Sequence, residues 1–467
     1  MSDSEADMKL QSIQALRGLA ALLVVFFHIR SLELTSIASN GLTERAWTGG
    51  VFTNGYVGVD LFFVISGFIM VFVTRSATPG RAAAADFLFA RATRIYPVWW
   101  AFAAFMAVYM IVVHGLSSMG QGWNEVSRGQ PFVPYMLKSF FLQPQPAFPV
   151  LGVGWTLVHE MYFYIVFTAF MLLPRKWLPA LLGLWGAMIV GGTLLGFASP
   201  YANTYRDLVF YPMTMEFILG GLAGYAITIG AQWRSGLVTL VATLWLLVAF
   251  CYQGLETRFT LEWGRVLWFG LPSALLVYGV GSLESQRRLA WLVPVVASFL
   301  VTVTLYQMFG LDDASPDQAR REATILAVIV GAMAMLAVLW FGWLLGQGAP
   351  DIVRRMMPVC KRILNIAAKF GDWSFSLYLC HMIVLSALRR AFDFAGRSDA
   401  LAPVFRIGHP GPLDNLIFLA VGTAVSIVAS WITYRIVERP CIILFGRLRI
   451  ALFHHEPTGP QAEALRT

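Results

Sequence analysis

Charged residues are scarce in this sequence. Only 13% of its 467 residues are Asp, Glu, Lys or Arg, whereas 58% are hydrophobic. A soluble domain usually carries about twice that charged fraction, so the composition excludes an ordinary soluble protein and indicates an integral membrane protein. The net charge of +8 does not change this interpretation, because basic residues in so apolar a chain orient its spans. We therefore predict no nucleic-acid partner.

Cysteine is also rare, and the four cysteines have no spacing typical of a disulfide framework or a metal site. We expect neither a metal nor a tightly bound cofactor. No small-residue cleavage site follows the first apolar run, so we predict that this run remains as a span. Without tandem repeats or a soluble segment of domain size, the chain is predicted to be one membrane domain, 11–445, with a cytoplasmic tail, 446–467.

Apolar runs long enough to cross a bilayer as helices occur throughout the chain. Lys and Arg concentrate in alternate connections, which favours cytoplasmic placement of both termini. The fold class that we predict is an all-α polytopic membrane protein with about 10–12 transmembrane helices. The predicted spans are 14–31, 56–74, 95–114, 155–173, 177–197, 211–230, 236–253, 265–282, 291–310, 323–347, 373–391 and 414–437.

The first span carries two costly polar residues, Arg17 and His28. Eleven residues separate them, almost three helical turns, so they share one stripe about 16 Å apart along the axis. Ionisable groups inside spans are rare and are functional candidates. From this pair alone, a snorkelling arginine and a hydrogen-bonded bundle histidine explain the pattern equally well.

Three carboxylates are predicted to lie at the same level as His28, near the outer face: Asp60, Glu160 and Glu216. Chance scatter of buried polar groups would not favour one depth. Asp60 and Glu216 are nevertheless more easily explained by structural pairing, for example with an arginine.

Glu160 is the better functional candidate, because Tyr164 lies one turn away and neighbouring aromatic residues would desolvate it. Trp155 stands at the predicted outer mouth of the same span. We therefore assign Glu160 and Asp60 with His28 to catalysis, and Trp155 with Tyr164 to substrate binding.

At the opposite face, Arg91 and Arg94 occur three residues apart on a short predicted helical stretch ending at Pro97. With Arg17 they form a basic group at the predicted inner mouth, suited to bidentate phosphate binding. Ordinary positive-inside anchoring is the alternative.

Other polar positions leave their role open. Ser66 and Gly67 lie in the middle of a span, where small residues usually allow close helix approach. His381, in the middle of a later span, is as readily a structural histidine as a functional one. Residues 115–154 and 392–412 contain Gly and Pro, and are predicted to form outer loops.

Several of these segments, in this order, resemble the acyltransferase-3 family of membrane acyltransferases, and most closely its exopolysaccharide-modifying branch. The segments are Leu16-Arg17-Gly18 with His28, Gly58 to Gly67, Arg91-x-x-Arg94 with Tyr96-Pro97, Trp155-Thr156-Leu157-x-x-Glu160, Leu377-Tyr378-Leu379-x-His381 and Glu438-Arg439-Pro440.

The resemblance implies transfer of an acyl group, usually acetyl, from cytoplasmic acyl-CoA as co-substrate to a hydroxyl of an extracytoplasmic or lipid-linked polysaccharide. It implies that Arg17 with His28, and Arg91 with Arg94, are essential. Polysaccharide synthesis machinery is a further expected partner, and a bacterial cytoplasmic (inner) membrane is the expected location. The chain departs from the family at 285–365, a predicted insertion with two extra spans.

Together these features predict a mechanism in which the basic group holds the coenzyme A phosphates and His28 takes the proton of the acceptor hydroxyl. Glu160 or Asp60 would orient its imidazole. An acyl-enzyme relay through Ser66 is less favoured. The alternatives are a proton-coupled secondary transporter and a non-catalytic scaffold of a polysaccharide synthase complex.

Overall fold

The structure is a computed structural model that describes residues 10–43, 54–114, 126–199, 202–253, 263–286, 351–409 and 412–453. These residues are largely helical and contain no β-strand. In chain order, the helices are α1 (Gln11–Ser39), α2 (Val57–Val73), α3 (Arg81–His114), α4 (Phe132–Phe140), α5 (Trp155–Phe170), α6 (Leu178–Leu194), α7 (Tyr205–Val209), α8 (Thr214–Thr228), α9 (Ser235–Gln253), α10 (Trp263–Ser285), α11 (Asp351–Asp372), α12 (Ser374–Ala395), α13 (Pro412–Thr433) and α14 (Arg439–Phe453).

Seven helical segments among these residues are long and apolar enough to cross a membrane, and α2 and α9 are shorter apolar helices. These helices confirm the prediction of an all-α polytopic membrane protein. The physical reason for the fold is that a helix satisfies its own backbone hydrogen bonds in hydrocarbon. The predicted spans 291–310 and 323–347 lie outside the described residues. The predicted span 155–173 corresponds to α5, which has 16 residues and is not among the candidate spans.

The chain forms two compact units, which we describe separately. The first comprises 1–75 and 212–430, and the second 76–211 and 431–467. The predicted domain 11–445 and tail 446–467 remain predictions, although one helical run, with a π-helical turn at Tyr434–Glu438, continues past the predicted boundary to Phe453.

In the first unit, two glycines allow α2 and α8 to pack backbone against backbone. A Cβ atom on Gly67 would collide with the carbonyl oxygen of Phe217, and one on Gly220 with that of Val64. This confirms the predicted close approach at Gly67 and is the usual way in which small residues join helices in membranes. The packing holds Asp60, about two helical turns before Gly67, in the interior.

In the second unit, α14 is fastened to α3 by ion pairs. Arg449 donates to both carboxylate oxygens of Asp86, at 2.5 and 2.7 Å, and Arg94 lies 3.8 Å from Glu438. These two charge pairs hold α3, which carries Arg91 and Arg94, against residues 438–449.

Candidate active site

In the first unit, His28 on α1 lies next to His381 on α12. Nε2 of His381 is 3.2 Å from Nδ1 of His28, and that Nδ1 is also 2.9 Å from the carbonyl oxygen of Val24, one turn earlier on α1. His28 is partly exposed, whereas His381 is fully buried. Phe27 packs edge-on against the His28 ring, with ring centroids 5.0 Å apart. The partner of His28 is therefore a second histidine, which the sequence alone did not distinguish from a structural one.

Arg17 lies on the same uninterrupted helix as His28, so the expected separation of about 16 Å along the axis stands. Its guanidinium is partly exposed and donates to Oε1 of Gln14 at 3.1 Å. The backbone of Gln14 closely approaches Gly371 at the end of α11, where a Cβ atom would collide with it. This contact holds the first turns of α1 in position.

Asp60 pairs with Arg265, a residue that sequence reasoning missed. Nε of Arg265 donates to one carboxylate oxygen of Asp60 at 3.0 Å and its terminal nitrogen to the other at 2.5 Å. Both side chains are buried, and fully buried Glu216 lies within electrostatic range of the two. The geometry thus shows structural pairing of Asp60 with an arginine. Both oxygens of Asp60 accept hydrogen bonds from Arg265 and not from His28.

The second unit brings together Arg91, Glu160 and Tyr164. The Arg91 guanidinium lies over the Tyr164 ring, 6.0 Å from its centroid, and over Phe87 at 5.5 Å. The Tyr164 hydroxyl donates to Glu160, which acts electrostatically on Arg91. Nε of Arg91 is buried and has no hydrogen-bond acceptor in the described part of the chain. A buried donor without an acceptor is costly, which is the condition that a bound anion would relieve.

Two expectations about this cluster are wrong. Arg91 and Arg94 do not lie on a short stretch ending at Pro97, because α3 continues through that proline from Arg81 to His114. Glu160 does not lie across the membrane from Arg91 but beside it.

The reason is that residues preceding α5 fold along the middle of α3. The indole nitrogen of Trp99 donates to the carbonyl of Ser139 at 3.0 Å, and a Cβ atom on Gly154 would collide with the Trp99 ring. Helix α5 therefore starts beside the centre of α3. Trp155 is at the first position of α5 and is partly exposed.

We predict that Arg265→Gln destabilises the protein strongly, because it leaves the buried Asp60 carboxylate without a counter-ion. Breaking a buried pair in this way costs about 3–5 kcal/mol. The measurement is thermal unfolding of detergent-purified protein. The double variant Asp60→Asn/Arg265→Gln, which removes both charges, should recover much of the loss. Wild-type stability of Arg265→Gln would show that the pair is not structural.

The chain matches the acyltransferase-3 family, whose description is an acyltransferase domain, over residues 10–305 and 281–435. It belongs to this family and is an acyltransferase that transfers groups other than amino-acyl groups. No solved structure matches it significantly.

Three relatives illustrate the range of the similarity. The exopolysaccharide production protein ExoZ of Rhizobium meliloti (strain 1021) is 32% identical over 68% of this chain and 92% of its own length. Nodulation protein 10 of Rhizobium leguminosarum bv. viciae is 22% identical, covering 83% and 82%. Acyltransferase MdmB of Streptomyces mycarofaciens is 23% identical, covering 98% of both chains. None of these comparisons favours the transporter or the scaffold.

Proposed function

We propose that this protein is an O-acyltransferase of the bacterial inner membrane, with both termini in the cytoplasm. It moves an acyl group, acetyl in the simplest case, from cytoplasmic acyl-CoA to a hydroxyl of an extracytoplasmic or lipid-linked polysaccharide. Support for the acceptor class comes from the similarity to an exopolysaccharide production protein that covers two thirds of the chain.

The observation that carries the chemistry is the fixed ring of His28. A carbonyl oxygen only accepts hydrogen bonds, so the contact with Val24 assigns the imidazole proton to Nδ1. Nε2 then has the lone pair and is the atom that can accept a proton. His28 is partly exposed, as a base that meets a substrate has to be.

In the proposed reaction the acceptor hydroxyl oxygen attacks the thioester carbonyl carbon while Nε2 of His28 takes the hydroxyl proton. The carbon–sulfur bond then breaks, and the departing thiolate receives that proton from His28. The products are the ester and free coenzyme A, with no net proton consumed. No acyl-enzyme is required, so Ser66 has no covalent role.

Arginines in each unit are proposed as phosphate-binding groups for the donor, and each unit is described by itself. Arg17 lies about 16 Å from His28 along α1, comparable to an extended pantetheine arm. In the second unit, the buried Nε–H of Arg91 is a suitable donor to a phosphate oxygen. Arg94, about one third exposed, adds charge beside it.

Glu160 is proposed to support this arginine group through Arg91 and Tyr164. Tyr164 is buried and its hydroxyl donates to Glu160. The Arg91 guanidinium lies over the ring of the same tyrosine. Trp155 remains a candidate for acceptor binding, because it is partly exposed at the start of α5.

His28→Ala should abolish acyl transfer while leaving the protein folded, because α1 keeps its apolar length. The gene is deleted in its own host and restored as wild type or as His28→Ala, and the acyl content of the surface polysaccharide is measured by proton NMR. We expect acyl signals to disappear on deletion and to return only with wild type. Unchanged acyl signals after deletion would overturn the proposed function.

Arg91→Ala and Arg94→Ala should each weaken binding of coenzyme A by about tenfold or more, since each removes a charge-assisted phosphate contact worth about 1.5–3 kcal/mol. Lysine at position 91 should rescue only in part, because it lacks the planar fork. Binding of coenzyme A to purified protein is measured calorimetrically.

The matched control is Arg75→Ala, since Arg75 donates to a backbone carbonyl within its own turn and carries no proposed donor role. Equal affinities of the Arg75, Arg91 and Arg94 variants for coenzyme A would show that Arg91 and Arg94 only orient the chain in the membrane.

A further inference from the structure

The pair of imidazoles in the first unit has an internal order that defines a role for each ring. Nδ1 of His381 lies 3.0 Å from the carbonyl oxygen of Leu377, just as Nδ1 of His28 lies 2.9 Å from that of Val24. Both Nδ1 atoms therefore carry hydrogen when the rings are neutral. Nε2 of His381 is left with a lone pair.

That lone pair faces the N–H of the other ring. Nε2 of His381 is 3.2 Å from Nδ1 of His28, so the Nδ1–H of His28 is shared between two acceptors, Val24 O and His381 Nε2. Protein N–H groups also share their hydrogen between two acceptors at helix ends, so the arrangement has precedent. The two acceptors hold the His28 ring in one orientation and one tautomer, with Nε2 as its base.

The unequal exposure of the rings separates their roles. His381 is completely buried, and its Nδ1 is occupied by its own helix, so it has no route to a substrate. His28 is partly exposed. The ring that reacts and the ring that supports it are thereby distinguished by burial alone.

We propose that His381 is the positioning residue for His28, in the place where other acyl-transfer enzymes use a carboxylate behind the histidine. The proposal rests on the proposed function and assigns the orienting task to a neutral acceptor on α12. When His28 takes the hydroxyl proton, its Nδ1–H becomes a charged donor, and hydrogen bonds from charged donors are roughly twice as strong as neutral ones. The His381 contact therefore strengthens as the transition state forms, which is how a positioning group raises turnover.

The test compares two substitutions at position 381 in the purified full-length protein. His381→Gln can present a side-chain carbonyl oxygen to the Nδ1–H of His28, whereas His381→Leu has no acceptor. Acetyl-CoA is the donor, and polysaccharide from the deletion strain is the acceptor. Turnover and donor KM are measured per folded molecule.

We expect His381→Leu to lower kcat by about 100-fold, within the range of general-base effects, with donor KM nearly unchanged. His381→Gln should retain most of the wild-type kcat. If His381→Leu does not fold, His381→Met replaces it, because a thioether sulfur accepts hydrogen bonds only weakly.

His159→Leu is the control for loss of a buried histidine, since His159 in the second unit packs at a tilt against Tyr211 and has no proposed catalytic role. It should alter yield but not kcat per folded molecule. Equal kcat for wild type and the acceptor-free variant, or equal losses for the Gln and Leu variants, would overturn the role of His381. An active His28→Ala enzyme would instead contradict the proposed function, so the two failures are distinguishable.

Discussion

A polar group inside a membrane helix has no water to bond, so another group of the protein has to satisfy it. This constraint organises the first unit. His28 contacts a backbone carbonyl and a second histidine, and both carboxylate oxygens of Asp60 accept hydrogen bonds from one edge of the Arg265 guanidinium. Two polar contacts thus join α1 to α12 and α2 to α10, and each restricts how the two helices that it joins can rotate against one another.

The same constraint separates a reactive group from a structural one. Asp60 has both oxygens engaged and is fully buried, which suits a pair that specifies packing. His28 keeps one ring nitrogen outside its two contacts and is partly exposed. Arg91 resembles His28 in this respect, because its buried Nε–H is unsatisfied among the described residues. Groups left incompletely matched, at a cost to stability, are where ligand chemistry is expected.

The sequence predicted the fold class well, because a run of apolar residues of sufficient length has few structural solutions in a bilayer. The shared stripe of Arg17 and His28 and the close approach at Gly67 follow from helical periodicity and residue size. Helical periodicity and residue size do not predict side-chain contacts between residues that are far apart in the sequence. Arg265 and His381 lie more than 200 residues from Asp60 and His28, and neither spacing nor composition links such pairs.

The depth of a side chain in the membrane does not follow from the sequence alone. A count of residues from a predicted helix start gives the depth only if each helix begins at a membrane surface. Helix α5 instead starts beside Trp99, in the middle of α3, so Glu160 lies at the level of Arg91. The aromatic anchors that hold residues 139–154 in this place, Trp99 and Trp100, were part of an apolar run and gave no separate signal.

The central claim is that Nε2 of His28 is the base for transfer of an acyl group from coenzyme A. Cryo-electron microscopy of the protein with a non-hydrolysable thioether analogue of acetyl-CoA tests it most directly. We predict that the pantetheine arm follows α1 from Arg17. The acyl carbonyl carbon should lie close enough to Nε2 of His28 for one hydroxyl group to fit between them, with its hydrogen on Nε2 and its oxygen facing the carbon. An analogue bound with its acyl group remote from His28 would contradict the account.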